Sequence, residues 1–179
     1  LLDEFEIGKV AVAPLKGVHD LNHFVCRLES LQNFCRQPLE DANASYALRA
    51  FVAIHDGDPR ILGYYHLSLS TVGADEVGKG VEGRFLHLPA IPTIYLGMLA
   101  VDRRVERRGV GKLLMADALA RTATIARHAG TYALTLDAID AEAAAYYEDG
   151  FDFQRFMPGG LKMYLAIQTI IALDLPDPA

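Results

Sequence analysis

The spacing of apolar and polar positions divides the chain into strand-like and helix-like stretches. Phe5–Ala13 reads as a first strand, closed by Pro14. From Val18 to Gln37, Leu21, Phe24, Val25, Leu28, Leu31 and Cys35 recur at three- and four-residue steps, which predicts an amphipathic helix that Pro38 stops or breaks. Tyr46–His55 and Ile61–Val72 read as a strand pair joined by the turn Asp56-Gly57-Asp58-Pro59. Gly73–Pro92, with its glycines and prolines, reads as a loop long enough to suggest a functional segment. A strand at Thr93–Val101, a charged run at Asp102–Arg108 and Gly109 precede a helix over Val110–His128. On that helix Val110, Leu114, Ala118 and Ile125 fall within about 80° of one another, and Gly130 is the expected C-cap. A strand at Tyr132–Ile139, a helix at Ala141–Glu148 ended by Gly150, and strands around Phe151–Phe156 and Lys162–Ile170 complete the order. Such an order predicts an α/β protein, one mixed sheet with helices packed on it, in a single domain over residues 1–179.

Composition narrows the function classes. The chain has 179 residues, of which 51% are hydrophobic and 22% charged, enough for an ordinary core and too apolar for a disordered or collagen-like chain. Seventeen Lys and Arg against 23 Asp and Glu give a net charge of −6. A general polyanion binder is thereby excluded, and any contact with nucleic acid must use a confined basic surface. The longest apolar run, Leu165–Leu173, is interrupted by Gln168 and Thr169 and falls short of the ~20 residues a membrane span needs. Cys26 and Cys35 fall on the same predicted helix, on opposite faces and about 13 Å apart in rise, so no bond between them is expected there. With two inert thiols and no basic-then-apolar leader pattern at the start, the expected location is the cytoplasm.

The chemistry concentrates in Leu99-Ala100-Val101-Asp102-Arg103-Arg104-Val105-Glu106-Arg107-Arg108-Gly109-Val110-Gly111-Lys112, where a strand meets a glycine turn that opens a helix. The first amides of a helix lack internal partners and carry the positive end of its dipole, an arrangement that binds phosphate. Gly109 and Gly111 let backbone approach a ligand, and Arg107, Arg108 and Lys112 add positive charge. The turn is not a P-loop, because Glu106 stands where the first glycine belongs and Leu113 replaces the Ser/Thr. It is not a dinucleotide fingerprint either, because the third glycine position is Leu114.

The strand ending Leu-Ala-Val-Asp, followed by x-x-Arg-Gly-Val-Gly and a helix, resembles motif A of the GNAT acetyltransferases. The resemblance covers nearly the whole chain, including Tyr146-Tyr147-Glu148-Asp149-Gly150-Phe151, which is similar to a common GNAT pattern Tyr-x-x-x-Gly-Phe. It implies a GNAT fold, with a mixed central sheet of about six to seven strands and helices on both faces. It also implies that acetyl-CoA is the acetyl donor, with its pyrophosphate held at this turn and no metal required. The residues implied for that contact are Leu99, Ala100, Val101, Arg107, Arg108, Gly109, Val110, Gly111 and Lys112. The family's usual Gln/Arg-x-x-Gly-x-Gly/Ala begins here with Glu106, whose carboxylate is expected to point away or to pair with an arginine. Gly17–Phe24, Leu62–Ser68, and Ala90-Ile91-Pro92 ahead of Leu96–Asp102 further resemble stretches of GNAT toxins from bacterial toxin–antitoxin modules. That resemblance implies an aminoacyl-tRNA substrate, acetylated on its α-amino group to block translation, and a ribbon–helix–helix antitoxin as partner, and it is compatible with a homodimer. A small-molecule or protein amine as acceptor, or a non-catalytic CoA-binding module, are the rival readings.

Acetyl transfer from a thioester needs a neutral amine, stabilisation of an oxyanion and a proton for the leaving thiolate. The resemblance supplies a tyrosine for the last task. Counting back from Gly150-Phe151 points to Tyr146; counting forward from the preceding strand points to Tyr147, and Tyr147 is taken because the helix start fixes it more directly. The resemblance also implies a backbone amide on the strand before the glycine turn, near Leu99, as the oxyanion donor. No general base stands out, which suits an α-amine of pKa about 8 better than a lysine of about 10.4. His55, His66 and His87 are scattered candidates, none assigned. His19 and His23, four apart on the predicted first helix, have metal-ligand spacing but no third ligand nearby. Arg103, Arg104, Arg107 and Arg108 are equally compatible with the diphosphate site, tRNA phosphate or a solvated face.

Overall fold

A computed structural model of the chain describes residues 5–73, 76 and 90–178. Among these residues seven strands are paired in the order β1-β2-β3-β4-β5-β7-β6. They are β1 (Val10–Pro14), β2 (Arg49–His55), β3 (Ile61–Val72), β4 (Ile91–Val101), β5 (Ala133–Asp137), β6 (Gln154–Arg155) and β7 (Lys162–Ala166). The described α-helices are α1 (Glu29–Arg36), α2 (Pro38–Ala44), α3 (Val110–Ala126), α4 (Ala141–Phe151) and α5 (Ile167–Ala172). The sheet is mixed: β1–β2–β3 are antiparallel, β4 and β5 are parallel, and β5–β7–β6 are antiparallel. The predicted α/β order and strand number are therefore found. Most of the predicted loop 73–92 lies outside the described residues, His87 with it.

The chain forms two compact units, the first made of Leu1–Ser68, Gly97–Ala118 and Pro178–Ala179, the second of Leu69–Leu96 and Leu119–Asp177. In the first, Val10↔His55 to Pro14↔Phe51 and Arg49↔Leu67 to Ile54↔Ile61 set the strand registers, with a bulge at Ala53/Ile54. Its core gathers Leu21, Phe24, Cys35, Leu39, Val52, Ile61 and Tyr64. Phe24 meets Tyr64 edge-on, and the Tyr64 hydroxyl donates to the Leu31 carbonyl at 2.7 Å. Burying a tyrosine this deeply requires such a partner. Gly63 of β3 faces the start of α3: a Cβ there would come within 2.8 Å of the Ala100 carbonyl oxygen and 2.9 Å of Leu114 Cδ1. Only a residue without a side chain lets strand and helix pack this closely.

The predicted helix over 18–37 is corrected. Helical backbone begins only at Glu29, while Asp20 and Val25 are tied to residues 59–61 and 102–103 instead. The Asp20 amide donates to the Pro59 carbonyl at 2.8 Å, the Arg103 amide to Val25 at 2.8 Å, and the Val25 amide to the Asp102 carboxylate at 3.1 Å. Leu21, Phe24 and Cys26 are buried as their spacing suggested, but on irregular backbone. The geometric ground for excluding a Cys26–Cys35 bond therefore does not apply; both thiols are free and buried. Pro38 does split the segment, opening α2 at its first position, where its missing N–H is harmless.

In the second unit Ile94↔Leu134 and Tyr95↔Thr135 form the parallel ladder, and Ala133↔Ala166 to Asp137↔Lys162 the antiparallel one. Buried Thr135 donates its hydroxyl to the Ile94 carbonyl at 3.2 Å. Two helix ends depart from expectation. Gly130 does not cap α3, which stops at Ala126, and it does not have a positive φ. Gly150 does not end α4 but lies inside it; the left-handed cap is Asp152 at φ 60°, whose amide returns to Glu148 at 3.1 Å. The expected strand at 162–170 runs only to Ala166, and Ile167–Ala172 turns helical with Ile170 buried.

Candidate active site

In the first unit β4 is kinked at Met98, whose φ of 51° lies in the left-handed region that costs a residue with a side chain. The alternation of the strand slips at that point: Leu96 and Gly97 are both buried, Met98 is exposed, and Ala100 is buried again. Leu99, Ala100 and Val101 follow the kink and line a pocket of about 150 Å³. Its other walls are Cys26, Arg27, Leu28, Leu31 and Glu106.

The strand ends on Asp102, whose side chain is fully buried. Its carboxylate accepts from the Val25 amide at 3.1 Å, the Arg104 amide at 2.9 Å, and Arg104 Nε and Nη2 at 2.7 Å each. Arg104, raised in pKa by that hydrogen-bonded partner, also donates to the His23 carbonyl at 3.2 Å. A buried carboxylate with four donors is a staple, and this one fastens residues 23–25 to the start of the turn. Arg104 is thus committed to structure rather than to a ligand.

Gly109 has φ 93°, and a Cβ there would meet nothing closer than Ile7 Cγ1 at 3.5 Å. Backbone conformation, not space, requires the glycine. Its carbonyl accepts the Leu113 amide at 3.0 Å, the first bond of α3. The amides of Val110, Gly111 and Lys112 therefore precede the first helical donor and have no acceptor within the helix. Val110 is buried, whereas Arg107, Arg108 and Lys112 are exposed around the turn, Arg108 5.5 Å from the centre of the Phe5 ring. Amides with no acceptor in the helix, the positive end of a 17-residue helix and three cations make an anion-binding arrangement. Glu106 is held off by Arg27, whose Nε and Nη2 lie 2.9 and 2.8 Å from Glu106 Oε2.

Tyr147 lies on α4 in the second unit, on a helix opened by Asp140, which accepts the Ala143 amide at 2.7 Å. Tyr147 packs against the Phe153 ring at 5.8 Å and meets Tyr146 edge-on at 5.6 Å. Burial, with Tyr146 and Tyr95 adding to it, pushes the Tyr147 phenol up to about 12. Tyr146 is the more exposed of the two at 46% and stacks edge-on with Phe151. The same unit holds Tyr95, pushed up to about 12 by burial and by Asp137.

The histidines separate by environment. His66 is buried at 7% exposure and pushed down to about 4 by burial, too weak a base to take a proton from an ammonium group. His19 and His23 are not on a helix: His19 Nδ1 accepts the Lys16 amide at 3.1 Å, and His23 pairs with Asp20. Among the described residues no three His, Cys, Asp or Glu side chains are grouped to hold a metal ion. Sequence reasoning missed the Met98 kink, the Asp102 staple and the pocket walls Cys26, Arg27, Leu28 and Leu31. The last four come from a segment some 70 residues away from β4, with no local signal linking the two.

Residues 21–153 match the Acetyltransferase (GNAT) family. The chain belongs to that family. Among GNAT relatives it is 31% identical over 167 residues to the tRNA-acetylating toxin of Mycobacterium tuberculosis (strain ATCC 25618 / H37Rv), covering 93% of this chain and 97% of the toxin. The fold is also that of KacT, solved as a tyrosine-to-phenylalanine variant, with a TM-score of 0.86 at 24% identity over 92% of this chain and 99% of that one. AtaT, solved in complex with acetyl-methionyl-tRNAfMet, superposes with a TM-score of 0.83 at 22% identity over 92% of this chain and 99% of that one. A tyrosine-to-phenylalanine variant of AtaT has been solved bound to the C-terminus of the antitoxin AtaR and acetyl-CoA, with a TM-score of 0.75 at 23% identity over 92% and 97% of the two chains. Within the GNAT frame Glu106 is the departure from the turn pattern, and its arginine partner is Arg27.

Proposed function

We propose that this chain transfers acetyl from acetyl-CoA to the α-amino group of aminoacyl-tRNA, and that it acts as the toxin of a toxin–antitoxin pair. The observation that carries the reading is the α3 turn, where the amides of Val110–Lys112, which have no acceptor within the helix, follow a left-handed Gly109 beside Arg107, Arg108 and Lys112. These residues fit a diphosphate, and the strand end Leu99–Val101, which lines the pocket, fits the arm that leads from it. Acetyl-CoA supplies the activated acetyl group. The Leu99 amide, just past the Met98 kink, is assigned to the charge that develops on the acyl oxygen. Tyr147 is assigned to the departing sulfur, to which its O–H donates. A phenol at about 12 keeps its proton at every physiological pH, so it serves as a donor and never as a base. The amine nitrogen bonds to the acyl carbon as the carbon–sulfur bond breaks, the leaving sulfur takes the Tyr147 proton, and the proton that the amine loses passes by way of solvent to restore the phenol.

The tRNA-acetylating relative and the AtaT complex support aminoacyl-tRNA as the acceptor. Antitoxin-bound AtaT supports an antitoxin partner, for which a ribbon–helix–helix protein is proposed. The net charge of −6 favours the rival acceptor, a small amine, unless the tRNA meets a confined basic surface. Expression of the chain should arrest growth, and Tyr147→Phe should relieve the arrest while lowering turnover about 100-fold and leaving CoA affinity within about two-fold. If Tyr146→Phe has that effect and Tyr147→Phe has none, the two tyrosines exchange roles; growth arrest that survives both variants would rule out acetyl transfer as its cause.

A further inference from the structure

The turn carries a carboxylate where a diphosphate is to sit. Glu106 stands three residues before Gly109, in the charged run that leads into the turn. Asp102, the other carboxylate of this segment, is fully buried and occupied by Arg104 and Val25. Glu106 is different: its side chain is 24% exposed at the wall of the pocket formed with Leu99, Ala100 and Val101. Its Oε2 accepts both Nε and Nη2 of Arg27, at 2.9 and 2.8 Å. Arg27 lies 79 positions earlier, on the irregular backbone that Asp102 fastens to the strand end. Nothing local in the sequence demands this pair; the tertiary fold brings it to the turn.

The geometry points to Arg27 as a positioning residue that neutralises Glu106 and so makes a glutamate tolerable beside the cofactor's phosphates. This rests on the reading of the turn as the diphosphate site. An ion pair with one partner 67% exposed contributes little to folding, so stability does not explain it. A bare carboxylate facing a diphosphate across a partly screened gap weakens binding by roughly ten-fold. Charge neutralisation has an asymmetric signature. Losing Arg27 leaves the carboxylate bare, whereas losing the Glu106 charge removes the need for Arg27. A mere tether has a symmetric one, because either substitution breaks the same pair.

Calorimetric titration with CoA of the full chain, of Arg27→Ala, Arg27→Lys and Glu106→Gln, and of the Arg27→Ala/Glu106→Gln double variant separates the two. The expected result is roughly ten-fold weaker binding in Arg27→Ala, a loss that shrinks as salt is raised. Arg27→Lys, which keeps the charge, should retain affinity within about three-fold, Glu106→Gln should bind at least as well as the parent, and the double variant should match Glu106→Gln within about two-fold. Equal losses in Arg27→Ala and Glu106→Gln, or no loss in Arg27→Ala, would overturn the inference and leave the cofactor site standing. A parent chain that takes up no CoA would overturn the cofactor site itself.

Discussion

His66 is an imidazole that folding keeps uncharged. It is buried in β3, its ring 5.9 Å from that of Phe34, and a Cβ at Gly97 would overlap it. Burial pushes its pKa down to about 4, against about 6.5 in an unfolded chain. Between those values the unfolded chain binds the extra proton, so stability falls as pH drops through this window and is unaffected above about 6.5. At pH 5 the cost is about 2 kcal/mol. Urea unfolding of wild type and His66→Gln at pH 7.5 and pH 5 should show the wild type losing about 2 kcal/mol more than the variant. Equal losses would mean that His66 takes up its proton without cost in the fold. The position was visible in the sequence only as one of several scattered histidines; its burial depends on a strand neighbour, Gly97, that no local pattern marks. Glu106, by contrast, was legible as a departure from a pattern, because charge at a phosphate turn has to be answered. Which arginine answers it was not.

At the scale of elements, the apolar spacing located what is buried more reliably than it located helices. Leu21, Phe24 and Cys35 are core residues as their periodicity implied, yet the backbone from 20 to 28 is held by residues 59–61 and 102–103, beside a local turn in which the Phe24 amide donates to the Leu21 carbonyl. Distant partners satisfied the amides that a helix would have satisfied, and no periodicity records them. The end of α4 went wrong for a related reason: Gly150 looked like the stop, but Asp152 takes the left-handed cap. The Asp102 staple is the element-scale contact with the largest expected weight. Asp102→Ala would strand two backbone amides and the Arg104 guanidinium, a loss of about 3 kcal/mol. Calorimetric melting should show a fall of roughly 10 °C. A fall below roughly 2 °C would mean that solvent replaces the carboxylate freely.

For the whole molecule, the alternation of strands and helices along the chain, the mixed sheet and the glycine turn were readable, because each is written in local chemistry: alternation, turn residues and the start of a helix. Division into two compact units was not readable, since β3, β4 and α3 each contribute residues to both without any break in composition. The net charge of −6 requires that a polyanionic acceptor be met by a confined basic surface. The most direct measurement is transfer of labelled acetyl from acetyl-CoA to a mixed pool of charged tRNA, with deacylated tRNA as control. The account predicts label in the charged pool alone, lost when the aminoacyl bond is hydrolysed. No label, from protein shown to bind CoA, would contradict it and turn the acceptor to a small amine or a peptide.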